Sequence, residues 1–153
     1  MNIFLGVCSL VLCTILGYFF AQKYCQRRDF FNSFSSFNKR FKGEVGFTKN
    51  SIISLVDKQT QKDDFYKYLA DFLSSGKVNV EEKYLNKEDV SFFYEYLKNL
   101  GVGDVETQIK YLDSLEKQIE LKVKEATEND KKYRSLYIKL GFLIGLVVLI
   151  VLL

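Results

Sequence analysis

An all-α fold is predicted, a cytoplasmic antiparallel helical bundle flanked by N- and C-terminal transmembrane helices, and three observations predict it. The 153 residues include no Pro and only 9 Gly, which removes the commonest helix breaker and leaves little punctuation for an all-β chain. Residues 3 to 21 and 140 to 153 carry no charge, so all 22 basic and 19 acidic side chains fall within residues 22 to 139. Between them Val105, Leu112, Ile119, Ala126 and Tyr133 recur every seven residues, the spacing of a packed helical seam. The resulting division is a transmembrane helix over 3–21, a helical domain over 22–135 and a second transmembrane helix over 136–153.

The first element has 19 uncharged residues, and at about 1.5 Å per residue it makes a helix of roughly 28 Å, the thickness of a bilayer's hydrocarbon. No Lys or Arg precedes it and Tyr18-Phe19-Phe20-Ala21 closes it, which argues against a cleaved leader. Val7 before Cys8 is equally poor for lipoprotein processing. Cys8 and Cys13 read as small apolar side chains in lipid. At the other end Leu136, Tyr137 and Ile138 extend the apolar run, interrupted only by Lys139, whose stem can snorkel to the interface.

Basic residues flank the central domain on both sides. Lys23, Arg27, Arg28, Lys39, Arg40 and Lys42 oppose one acid in residues 23 to 42, and Lys131, Lys132, Arg134 and Lys139 cluster before the second span. Residues 43 to 130 have 12 basic and 18 acidic side chains. The positive-inside rule then puts residues 22–135 in the cytoplasm and both short termini outside. The basic flanks favour anionic headgroups, making membrane lipids a partner. An acidic central domain is a poor match for nucleic acid.

Within the domain, Tyr24, Phe31, Phe34, Phe37 and Phe41, with Phe30 beside them, form one helical stripe that continues from the first span. The pair Gly43 and Gly46 predicts a turn that ends this helix. A short helix is predicted over Ser51 to Lys58, with Ile52, Leu55 and Val56 inward and Thr48 or Asn50 as cap. Another runs from Asp63 to Ser75, burying Phe65, Leu69, Phe72 and Leu73 and ending at Gly76. After a fragment over Val80 to Leu85, Asn86 with Asp89 three residues on is an N-terminal cap. The helix it opens has Phe93, Tyr96, Leu97 and Leu100 inward and stops at Gly101. Asp104 caps the longest element, whose second seam is filled by Ile109, Val123 and Tyr137 and flawed at Glu116 and Asp130. It enters the second span as one rod.

Several chemistries are excluded. Without His, Ser-His and Cys-His catalysis and His-ligated metals are absent, and three cysteines cannot make a four-thiolate zinc site. Cys25 lies among Lys23, Arg27 and Arg28 with no His or second Cys in the domain to act with it. Gly101-Val102-Gly103 has no strand before it and no Lys after it, so it reads as a turn between helices, not a phosphate loop. Glu81-Glu82 and Glu88-Asp89 read as solvated surface or a docking patch. No enzyme activity, cofactor or small-molecule substrate is expected.

Three stretches resemble the stage III sporulation protein AB family, within the wider group built on the F-type domain of type II secretion systems. Lys139-Leu140-Gly141-Phe142-Leu143-Ile144-Gly145-Leu146 is similar to its closing membrane segment. Leu100-Gly101-Val102-Gly103-Asp104 with Gln108 resembles its signature opening the long helix. Leu5-Gly6, Gly17, Tyr24, Arg27 and Glu44-Val45 follow its N-terminal layout. Arg28 stands where the family has Pro, Asn50-Ser51-Ile52 replaces its Thr-Pro-Leu, and its central Trp is missing. The resemblance is not extended to residues 57 to 95. It implies a component of the complex linking mother cell and forespore, with a secretion-type ATPase and other channel membrane proteins as partners. Tyr24, Arg27, Leu100, Gly101, Asp104 and Gln108 are the candidate interaction residues from its motifs, and Arg27 and Asp104 are candidates to pair with each other. The competing readings are a general two-span coiled-coil adaptor and a bilayer-surface enzyme using Cys25.

Overall fold

A computed structural model describes residues 2–47, 63–76, 80 and 83–152. The described residues form helices α1 (Asn2–Phe47), α2 (Asp64–Ser75), α3 (Lys87–Asn99) and α4 (Val105–Leu152), with no strand among them. The all-α prediction holds. The predicted turn at Gly43 and Gly46 is absent, because α1 runs unbroken for 46 residues through both glycines. A Cβ at Gly43 would meet nothing within 4 Å, so neither packing nor backbone conformation demands a break there. The short helix predicted over Ser51 to Lys58, and the Glu81-Glu82 pair, lie outside the described residues.

Both α1 and α4 are long and apolar enough to cross a membrane. Only 17% of the most apolar window of α1 and 11% of that of α4 is buried. A core helix of a water-soluble protein hides most of its apolar face, whereas here Leu12, Phe19, Phe20, Leu143 and Ile150 are each more than half exposed.

The chain forms two compact units, Met1–Gln26 with Glu125–Leu153, and Arg27–Lys124. In the first, α1 and α4 pack as an antiparallel pair through glycines. A Cβ on Gly17 would sit 2.6 Å from the Tyr137 carbonyl oxygen, and one on Gly141 would sit 2.7 Å from the Cys13 carbonyl oxygen and 3.2 Å from the Gly17 Cα. One on Gly145 would come within 2.8 Å of the Leu10 Cα. In lipid, where apolar side chains gain nothing by avoiding their surroundings, such close backbone approach is what holds helices together. At the basic end of the pair the ring of Tyr24 stacks on Tyr133 at 4.9 Å and on Tyr137 at 5.9 Å.

These contacts set opposite signs for two glycine substitutions. Gly141→Val would force backbone apart and cost about 1–3 kcal/mol. Gly43→Ala places a methyl in open space on a helix and would stabilise by about 0.5–1 kcal/mol. Thermal unfolding of the full-length protein in micelles, followed by helical circular dichroism, reads both.

The second unit is built on an aromatic core. Phe30, Phe31, Phe34, Phe37 and Phe41 of α1 are all buried, as their stripe predicted, against Phe65 and Leu69 of α2, Phe93, Tyr96 and Leu97 of α3, and Leu112 and Ile119 of α4. Phe34 stands at the centre, with rings of Phe65, Phe92, Phe93 and Tyr96 between 4.6 and 5.9 Å from its own. Mixed stacked and edge-on geometries are those that ring quadrupoles favour.

The helix ends follow sequence rules. Gly76 closes α2 with φ 69, its amide donating to the Phe72 carbonyl. Asn86 and Asp89 form a complete capping box on α3. Two inward predictions need correcting. Leu73 is 36% exposed and Val105 is 46% exposed, since each lies at a helix end where no neighbour covers it.

Candidate functional site

The described residues bring three charges from three helices together inside the second unit. Arg27 of α1 donates from Nε to Asp89 Oδ2 at 2.7 Å and from Nη2 to Oδ1 at 3.2 Å. Lys122 of α4 donates from Nζ to Asp89 Oδ1 at 2.9 Å and reaches Glu88 at 3.3 Å. Asp89 is fully buried on α3, and Arg27 is nearly so. The Phe31 ring lies 5.5 Å from the Arg27 guanidinium and 5.9 Å from the Lys122 ammonium, and Phe92 lies 5.6 Å from the latter. Desolvation pushes the Asp89 carboxyl up, but hydrogen bonds from Arg27 and Lys122, with their charges, outweigh it and hold the group below the usual 3.8. A carboxylate that also caps its own helix is therefore the fixed point of the unit.

A second set of charges zips α1 to α4 at the surface. Lys39 meets Glu120 at 2.7 Å, and Lys42 meets Asp113 at 2.6 Å and Glu116 at 2.7 Å. The hydrogen bonds that Lys42 donates to Asp113 and Glu116 raise its ammonium well above its ordinary value. Exposed pairs of this kind contribute little to stability but fix the antiparallel order of the helices.

Four candidate interaction residues, Leu100, Gly101, Asp104 and Gln108, belong to the corner between α3 and α4. Leu100 is the α3 C-cap, with its amide donating to the Leu97 carbonyl. Gly101 and Gly103 have φ 77 and 94, left-handed values that a side chain rarely adopts, so these glycines make the turn. Asp104 is exposed before α4, and a hydrogen bond from the Thr107 hydroxyl, aided by backbone amides, lowers its carboxyl. Val102 projects from the corner at 61% exposed. Gln108 turns inward instead and is buried, with neither side-chain amide atom hydrogen-bonded among the described residues. Tyr24 lies in the first unit, in the stack with Tyr133 and Tyr137.

Two expectations are overturned. Arg27 pairs with Asp89, not with Asp104, because Asp104 serves its own helix end while Asp89 faces α1. Glu88-Asp89 is not simply solvated surface, since only Glu88 is exposed. Asp89 and Lys122 were missed as a site. The capping pattern at Asn86 located Asp89 but gave no sign of its burial. Lys122 stands three residues after Ile119 and Gln108 three after Val105, where a helical seam turns inward. Among the described residues no three His, Cys, Asp or Glu side chains group to hold a metal ion.

Taken together, two apolar antiparallel helical stretches and an aromatic-cored helical unit pinned by buried charge define a class: an all-helical protein with two helices able to cross a membrane. The sequence matches the family described as stage III sporulation protein AB over residues 58–153, well over half of the chain, and the chain belongs to that family. Its role is accordingly in sporulation. The matched span includes residues 57–95 almost entirely, where no motif was recognised, and leaves Gly6, Gly17, Tyr24 and Arg27 outside it. No curated protein and no solved structure matches the chain.

Proposed function

We propose that the chain is a non-enzymatic membrane component of the complex linking mother cell and forespore. Its helical unit lies in the mother-cell cytoplasm and couples a secretion-type ATPase to the channel proteins in the membrane. Family membership is the observation that carries this reading. The physical support is α4, 48 residues without a break from the Asp104 corner to the apolar end. A continuous helix passes on tilt and rotation that a flexible linker would absorb. The α3–α4 corner, with Val102 exposed and two glycines fixing its shape, is the contact surface this reading assigns to the ATPase.

The test is recovery of partners on tagged full-length protein from detergent-solubilised membranes of growing and sporulating cells. The expected result is a secretion-type ATPase recovered from sporulating cells, and its loss in Val102→Asp. Unrelated membrane proteins recovered from growing cells, with no ATPase from either, would favour a general two-span adaptor.

A further inference from the structure

The face of α4 turned away from α1 carries a groove that the coupling role does not use. It is a shallow, open hollow of about 360 Å³ formed by α4 alone, lined by Lys132, Ser135, Leu136, Lys139, Leu140 and Leu143. Spacings of three and four put these residues on one helical face. Tyr133, Tyr137, Gly141 and Gly145 occupy the opposite face and meet α1. Leu136, Leu140 and Leu143 are 43%, 46% and 60% exposed, so the other described residues leave them largely open.

The groove changes character along its length. Lys132, whose ammonium lies 5.3 Å from the Tyr133 ring, together with Ser135 and Lys139 supplies two cations and a hydroxyl at one end. Leu140 and Leu143 lie in the uncharged run at the other. Among the described residues no acidic side chain lines it. A soluble anion would use only the basic end, and an apolar helix only the other.

We propose that this groove binds one anionic diacyl phospholipid. Its phosphate is held by Lys132, Lys139 and the Ser135 hydroxyl, and an acyl chain lies along Leu136, Leu140 and Leu143. Basic residues next to a membrane span attract anionic headgroups in general. A helix face that offers cations and leucines at fixed spacing adds positional selectivity to that diffuse attraction, because the phosphate and the chain must be satisfied together. The inference rests on α4 entering the membrane as the proposed function requires.

The test reconstitutes full-length protein into phosphatidylcholine vesicles containing a small fraction of spin-labelled phosphatidylglycerol or spin-labelled phosphatidylcholine. The immobilised spectral component measures selectivity between them. Lys132→Gln with Lys139→Gln removes two charges from the groove, and Lys131→Gln with Arg134→Gln removes two exposed charges beside it. The expected result is several-fold selectivity for phosphatidylglycerol, abolished by the first pair and largely kept by the second. Equal loss from both pairs would mean diffuse attraction and overturn the site, as would no selectivity in the unaltered protein. Cross-linking between copies through Leu143→Cys, with no immobilised lipid, would make a second copy the occupant and also overturn it. Flotation of the protein with the vesicles checks insertion separately, so failure of the membrane reading shows as failure to float.

Discussion

Asp89→Ala is expected to destabilise the Arg27–Lys124 unit by about 3–5 kcal/mol, the usual consequence of leaving buried charge without its counter-ion. Arg27 would lose both of its hydrogen bonds to Asp89 and Lys122 the shorter of its two carboxylate contacts, leaving it the exposed Glu88, and α3 would lose half of its capping box. For a unit of this size the unfolding midpoint should fall by roughly 12 °C or more. Removing the whole network is different in kind. Arg27→Leu, Asp89→Leu and Lys122→Met together delete both the cost of desolvation and the attraction, and should recover most of the loss, apart from the cap. A triple variant as unstable as the single one would mean that Asp89 acts through the cap alone.

The same carboxylate sets a pH dependence. Its folded-state value lies below the usual 3.8, so its contribution is complete at neutral pH and is lost as pH falls through the ordinary carboxylate range towards that depressed value. Stability of the unaltered protein should therefore drop more steeply below about pH 4 than that of Asp89→Asn. Parallel acid limbs would contradict a depressed Asp89.

Phe34→Ala is the second large effect, at about 3–5 kcal/mol, because four rings from α2 and α3 pack directly on Phe34 and the vacated space cannot close without moving two helices. Tyr94, half exposed on α3, is the comparison. Tyr94→Ala should change stability by no more than about 0.5 kcal/mol. Urea unfolding of the full-length variants in micelles would separate the two.

Much of this architecture was written in periodicity. The Phe stripe from Phe31 to Phe41 was legible because each residue lies three or four from the next, and every one is buried, as is Phe30 beside it. The caps at Asn86, Gly76 and Gly101 were legible because cap chemistry is local. What escaped was whatever needed a partner distant in the chain. Asp89 meets Arg27 across 62 residues and Lys122 across 33, and no local pattern marks such a pairing. Gly43 and Gly46 misled because two glycines permit a turn without requiring one. Gly17, Gly141 and Gly145 entered only as family motif positions, and their physical role appeared once the opposing backbone was in view. Val105 obeyed the heptad but sits at its open end, where the seam has no partner.

The proposed placement of a helical unit on the cytoplasmic side of two membrane-spanning helices is the claim on which coupling depends. Ser114 is exposed on α4 within the second unit, and Ser114→Cys in a chain with Cys8, Cys13 and Cys25 replaced by Ala reports its side directly. The expected result is no labelling by a membrane-impermeant maleimide in intact cells and full labelling after permeabilisation, with the protein staying in the membrane at alkaline pH. Labelling in intact cells, or release of the protein by alkaline wash, would contradict it.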